Sequence, residues 1–148
     1  MSKTLYIAYG SNLNLEQMAH RCPTAKAVGK SKLIGYELLF RGGNAGAVAT
    51  VEKLKGASAP VLVWQLETSD EAALDRYEGF PSFYRKETVK VRLGKDWTDV
   101  MVYIMNEGRP LGAPSRYYLE IIKQGYESAG FDTDILNMAV KQSSTGGR

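Results

Sequence analysis

The chain has 148 residues, of which 44% are hydrophobic and 24% charged, and it carries a net charge of +3. That describes one ordinary globular domain able to bury a continuous core, and it excludes disorder of the bulk. One histidine (His20) and one cysteine (Cys22) exclude an intramolecular disulfide framework and a structural zinc site of the usual Cys/His kind.

At the N-terminus, Met1-Ser2-Lys3 runs directly into the strand-like Leu5-Tyr6-Ile7-Ala8-Tyr9, so no signal peptide is expected and the cytoplasm is the default. Gly10-Ser11-Asn12 ends that strand. Asn14 caps a helix with Gln17 in the capping-box position. Leu15, Met18, Ala19 and Cys22 follow at helical spacing, and Pro23 stops the helix. His20 and Cys22 lie two apart on it and do not face each other, which disfavours a Cys-His nucleophile pair. A Ser-His-Asp triad would have to use His20. Any chemistry therefore falls to carboxylates, tyrosines and backbone groups.

Residues 25–41 read as one long bent strand or two short ones, broken near Gly29 or Gly35, and Gly42-Gly43-Asn44 reads as a turn. The basic cluster Lys26 to Lys32 is interrupted by Ala, Val, Gly and Ser, so no nucleic-acid-binding stripe forms. Residues 47–55 and 60–66 are expected to be separate strands around Gly56-Ala57-Ser58. Thr68 and Glu71 suggest a second capping box. Ala73, Leu74 and Tyr77 give the inner face of a short helix, which Gly79 ends. Two strands follow, residues 83–93 and 98–105, joined by the turn Gly94-Lys95-Asp96. Pro114-Ser115 opens a third helix, residues 134–141 suggest a fourth, and a tail over residues 143–148 is expected to be disordered.

No run approaches the roughly 18 apolar residues of a membrane helix. Neither a repeat nor a linker is visible, so residues 1–142 form one domain. Strands outnumber helices and mostly follow one another, which gives an α+β class with an antiparallel or mixed sheet able to close into a barrel.

Two segments carry candidate chemistry. Tyr9-Gly10-Ser11-Asn12-Leu13 joins a strand to a helix, and its N–H groups converge where an anion or oxyanion can be held. The plain alternative is a connecting turn. In Leu74-Asp75-Arg76-Tyr77-Glu78-Gly79-Phe80-Pro81, followed by Tyr84-Arg85, Glu78 sits at a helix C-terminus, where the macrodipole disfavours its charge. Burial among Tyr77, Phe80 and Tyr84 would raise its pKa further, toward general acid/base use. The plain alternative is a solvated residue paired with Arg76 or Arg85.

Together these segments resemble the γ-glutamyl cyclotransferase family, including its AIG2-like relatives. The similarity takes in Tyr9 to Leu13, Glu78-Gly79 with Leu74-Asp75 upstream, and Tyr84. It extends to Pro114-Ser115 with Tyr118, Ile122, Gly125 and Gly130, and runs from about Leu5 to Phe131. The resemblance implies a mixed, largely antiparallel β-barrel with flanking and crossover helices. It also implies a reaction in which the α-amine of a γ-glutamyl group attacks its own γ-carbonyl, releasing 5-oxoproline and an amine or amino acid. By the same resemblance Glu78 is the general acid/base, Tyr9, Gly10, Ser11, Asn12 and Leu13 cradle the γ-glutamyl group, and Tyr84 and Tyr118 line the pocket. The substrate supplies its own nucleophile, so no metal or cofactor is expected. The expected partner is a small-molecule γ-glutamyl substrate, with no nucleic acid and no membrane; a homodimer is left open. The leaving amine is open too, because the first motif matches enzymes of γ-glutamyl amino acids and the second is shared with those of γ-glutamyl-amines. Two other readings use the same residues: a non-catalytic binder of a small carboxylate or amino acid, and a biosynthetic enzyme removing a γ-glutamyl protecting group.

Overall fold

The computed structural model describes residues 4–42 and 46–144. The expected turn residues Gly43 and Asn44 and the chain beyond Ser144 lie outside the described residues.

The apolar run after Lys3 forms β1 (Thr4–Ala8), whose last three residues are buried. It lies in the middle of a five-stranded sheet, with β3 (Val48–Leu66) antiparallel on one side and β5 (Asp96–Met105) parallel on the other. β2 (Lys26–Arg41) pairs with β3, and β4 (Tyr84–Leu93) pairs with β5, giving the order β2-β3-β1-β5-β4. The class is therefore α+β with a mixed, mostly antiparallel sheet. The sheet does not close: no backbone ladder joins β2 to β4, and the Ser31 hydroxyl on β2 donates to the Arg92 carbonyl on β4 instead. The expected barrel is thus corrected to an open sheet whose two edges touch through side chains.

β2 is one long strand with register shifts at Ala27/Gly29 and Ile34/Tyr36. Residues 47–66, expected as two strands, form the single strand β3, which runs through Gly56 without a break.

Four helices cover the sheet: α1 (Leu15–Arg21), α2 (Thr68–Glu78), α3 (Arg116–Ala129) and α4 (Thr133–Ser144). Asn14 caps α1 by accepting the Gln17 N–H, and Ser115 caps α3 by accepting the Tyr118 N–H. On α2 the capping box lies one residue earlier than expected: Glu67 is the cap, and the Asp70 carboxylate takes its N–H. α4 runs past the expected end, because the buried Ser143 hydroxyl accepts the Phe40 N–H at 2.8 Å and anchors the last turn on β2. Ser143 and Ser144 therefore belong to the fold and not to a tail.

Gly125 lets α3 lie directly on the turn after β1, since a β-carbon there would sit 2.7 Å from the Leu13 backbone carbon. Leu13, Met18, Leu74 and Ile122 are fully buried beneath these helices, and Ile7, Val51, Val61 and Val102 fill the sheet side of the core. Among the described residues, no helix is long and apolar enough to cross a membrane.

Candidate active site

β1 delivers the chain into a single 3₁₀ turn, Ser11–Leu13, beside a cavity of about 260 Å³. The turn is closed by hydrogen bonds from Leu13 N–H to the Gly10 carbonyl and from Asn14 N–H to the Ser11 carbonyl, both 3.0 Å. Tyr9, Gly10, Ser11 and Asn12 form one wall of the cavity. Tyr77 and Glu78 at the end of α2 form a second wall, which meets the first at Ser11 and Tyr77, and Tyr84 and Tyr118 add to the lining. Leu13 is not on the wall: it is fully buried under Gly125 and belongs to the core. Seven of the eight residues singled out in the sequence thus meet around one space.

The sequence reading missed Tyr6, Val48, Ala49, Phe83 and Tyr103, which also line the cavity, and it left Tyr77 as a helix-face residue. Tyr6 and Tyr103 stand on the neighbouring strands β1 and β5 with their rings edge to face. A buried tyrosine needs a partner for its hydroxyl, and these hydroxyls in apolar strand segments were the available clue.

Gly79 adopts the left-handed conformation (φ 69°) that turns the chain out of α2, so Glu78 is its last helical residue. Glu78 keeps some solvent exposure through the cavity. Among the described residues, no donor hydrogen-bonds its carboxylate and no cation pairs with it. Arg85, one of the partners weighed for it, is bound to Glu87 at 2.6 Å. Burial therefore pushes the Glu78 carboxyl up to about 7, against a smaller opposing pull from the Arg21 guanidinium. Phe80, expected to help bury it, is exposed, does not line the cavity and lies under the Lys86 ammonium.

The tyrosines are arranged by donor and acceptor. Tyr118 accepts the Ala49 N–H at 2.9 Å, which leaves its own hydrogen free to be donated. Tyr84 gives its hydrogen to the Ala49 carbonyl at 2.5 Å, and Tyr9 gives its own to the Tyr103 carbonyl at 2.6 Å. Burial first, and the Glu78 charge among lesser causes, push Tyr6, Tyr9, Tyr84 and Tyr118 above the usual phenol range. All four are neutral at physiological pH. Gly10 lies so close to β3 that a β-carbon would sit 3.1 Å from the Ala49 β-carbon and 3.6 Å from the Tyr118 hydroxyl.

Asn12 donates to the Tyr6 hydroxyl at 2.9 Å and accepts from the Arg21 guanidinium. Ser11 and Tyr77 share a hydroxyl–hydroxyl hydrogen bond of 2.9 Å. Among the described residues, no three His, Cys, Asp or Glu side chains group as a metal site.

The family model for gamma-glutamyl cyclotransferase, AIG2-like, matches residues 6–125. Gamma-glutamylcyclotransferase of Homo sapiens is 33% identical over 139 residues, a match covering 85% of this chain and 71% of the human protein. The Bos taurus protein of that name is 31% identical with the same coverage of both chains. A solved gamma-glutamyl cyclotransferase structure, 27% identical, superposes with a TM-score of 0.80 over 93% of this chain and 86% of that one. The chain, matched across both walls of its tyrosine-lined cavity, belongs to the gamma-glutamyl cyclotransferase, AIG2-like family.

Proposed function

We propose that the protein cyclises a γ-glutamyl compound to 5-oxoproline and a free amine or amino acid, with Glu78 as general acid/base. The observation that carries this reading is the Glu78 carboxyl, without a hydrogen-bond donor or ion pair among the described residues and pushed up to about 7 by burial, on the wall of a cavity it shares with six tyrosines.

The reaction needs an amine deprotonated, a carbonyl attacked and a nitrogen expelled. An α-amino group is largely protonated near neutral pH. Ionised Glu78 takes that proton, and the freed amine adds to the γ-carbonyl carbon of the same molecule. The carbonyl electron pair moves to oxygen. Collapse of this tetrahedral intermediate breaks the C–N bond to the leaving group as Glu78 returns the proton to that nitrogen, and the ring nitrogen gives up its second proton through Glu78 to the departing amine, leaving the neutral lactam. Holding amine and carbonyl together in a small cavity captures the intramolecular advantage. Stabilisation of the oxyanion falls to the loop N–H groups between Gly10 and Asn12, since those of Leu13 and Asn14 are spent within the turn. The Tyr118 hydroxyl has a hydrogen to give to a substrate oxygen, and the Tyr84 oxygen has a lone pair to accept from a substrate N–H.

A binder of small carboxylates gains nothing from a second carboxyl facing its ligand, which favours the enzyme over the non-catalytic reading. A cytoplasmic setting belongs to the same proposal, with the buried Cys22 kept as a thiol. Incubation with a panel of γ-glutamyl amino acids and γ-glutamyl-amines, followed by assay of 5-oxoproline, tests it. Release from at least one member is expected; no release from any would overturn it.

A further inference from the structure

Arg21 ends α1, outside the cavity wall, yet it touches both walls. Its guanidinium donates to the Asn12 side-chain carbonyl on one side and lies 3.5 Å over the centre of the Tyr77 ring on the other. A third contact, from Nη2 to the Gln17 side-chain oxygen at 2.9 Å, fixes it on its own helix. The chain is thereby tied across: Asn12 passes the contact to Tyr6, and Tyr77 passes it to Ser11. All of these partners are neutral. Among the described residues, Arg21 has no carboxylate partner, so its charge is not cancelled where it sits.

The other ionisable groups that line the cavity with Glu78 are tyrosines. Tyr6 and Tyr9 on β1, Tyr84 on β4, Tyr103 on β5 and Tyr118 on α3 are all held above the usual phenol range, and Cys22 is pushed up to about 11. Asp75, one turn back on α2, is neutralised by Lys86 at 2.8 Å and receives the Tyr103 hydroxyl at 2.6 Å. The Arg21 guanidinium, stacked on the ring of Tyr77 next to Glu78 in the chain, is the cation whose field opposes the burial penalty on the Glu78 carboxyl.

We propose that Arg21 is a positioning residue that ties the Ser11–Asn12 loop to the Tyr77–Glu78 helix end and supplies the positive charge against which the Glu78 carboxylate is held. The role rests on the reading of Glu78 as the acid/base, but its electrostatic part holds whether or not cyclisation occurs. Arginine suits both tasks: its planar fork hydrogen-bonds in two directions while its face stacks, which lysine cannot reproduce.

The test is a pH titration of ¹³C-carboxyl-labelled protein followed by NMR, with E78Q identifying the Glu78 signal. R21Q and R21K are compared with wild type, and the pH dependence of kcat/KM for γ-glutamyl-alanine is measured in parallel. In R21Q the Glu78 transition should move up by about one pH unit, the scale of losing a nearby opposite charge, and the kcat/KM profile should follow. R21K, which keeps the charge but loses the fork and the stack, should titrate close to wild type while KM rises. An unmoved Glu78 transition in folded R21Q overturns the proposal, as does an R21K transition displaced as far as that of R21Q. Should R21Q not fold, R21K decides alone, because retained titration with a raised KM supports the role and a displaced titration refutes it. A protein without cyclising activity whose Glu78 titration still depends on Arg21 would sink the proposed function and leave the electrostatic link standing.

Discussion

Helix α2 carries a carboxylate near each end, one buried and one partly buried, and the two have opposite surroundings. Asp70, at the N-terminal end, is 1% exposed and its Oδ2 takes two donors, the Thr24 hydroxyl at 2.7 Å and the Glu67 N–H at 2.9 Å. The helix dipole favours its charge there. Glu78, at the other end, receives no donor and no ion pair among the described residues, and faces the unfavourable pole of the same helix. One carboxylate is solvated by the protein and holds the fold. The other is denied that solvation and is left able to exchange a proton at neutral pH. The difference teaches that charge and burial alone do not mark a site; what separates the two is whether donors have been supplied.

The largest expected effect of breaking the contrast is at Glu78. Glu78→Gln should lower cyclisation by about 10²–10⁴-fold, or roughly 3–5 kcal/mol of barrier. Stability should move the other way. A carboxyl whose folded pKa is raised above its unfolded value loses stability as pH rises from about 4.5 to about 7. Removing the charge should therefore raise the unfolding free energy at pH 8 by about 1–2 kcal/mol once partial solvent contact is allowed for, with a matching rise in melting temperature, and change little below about pH 4.5. Calorimetry at both pH values checks the sign.

Next in size is Gly10→Val. Against an Ala49 β-carbon already 3.1 Å from the site of the new side chain, crowding should cost about 1–3 kcal/mol and show chiefly as a raised KM. Unchanged affinity in a folded variant would make the loop a mere connector. Asp70→Ala should reverse the Glu78 pattern: a stability loss of about 1–2 kcal/mol from the broken capping box and its stranded donors, with turnover per folded molecule unchanged. Smallest should be Tyr84→Phe and Tyr118→Phe. Each removes one orienting hydroxyl, about 0.5–1.5 kcal/mol, and each should cost less turnover than Glu78→Gln; a larger loss would assign proton transfer to that tyrosine.

Much of this was legible in the sequence because local chemistry wrote it there. Asn14 and Ser115 announce their helices as caps, Gly79 ends α2 where a left-handed residue is needed, and the succession of strands and helices along the chain follows from apolar runs and turn residues. The Tyr9–Asn12 and Glu78 walls were found by resemblance, and their convergence is a property of the fold. What failed has physical causes. Gly56 reads as a break, but the β2 ladder on either side carries β3 through it. Ser143 reads as tail because its role is a single hydrogen bond to Phe40, far away in sequence. Barrel closure depends on whether β2 and β4 share a ladder, which no local pattern encodes. Leu13 belongs to a motif whose neighbours face the cavity, yet the close approach of Gly125 commits it to the core. Arg21 gave no clue, since a cation in a last helical turn is ordinary until the ring of Tyr77 is found beneath it.

The central claim, that a carboxyl deprived of donors does the proton transfer, meets its most direct test in the pH dependence of wild-type kcat/KM for 5-oxoproline release. The rate should rise with pH through a transition near the value of about 7 to which burial lifts Glu78, and that transition should vanish from the residual activity of Glu78→Gln. A profile flat across neutrality, or one whose rising limb lies near the ordinary glutamate value of about 4.3, would contradict it.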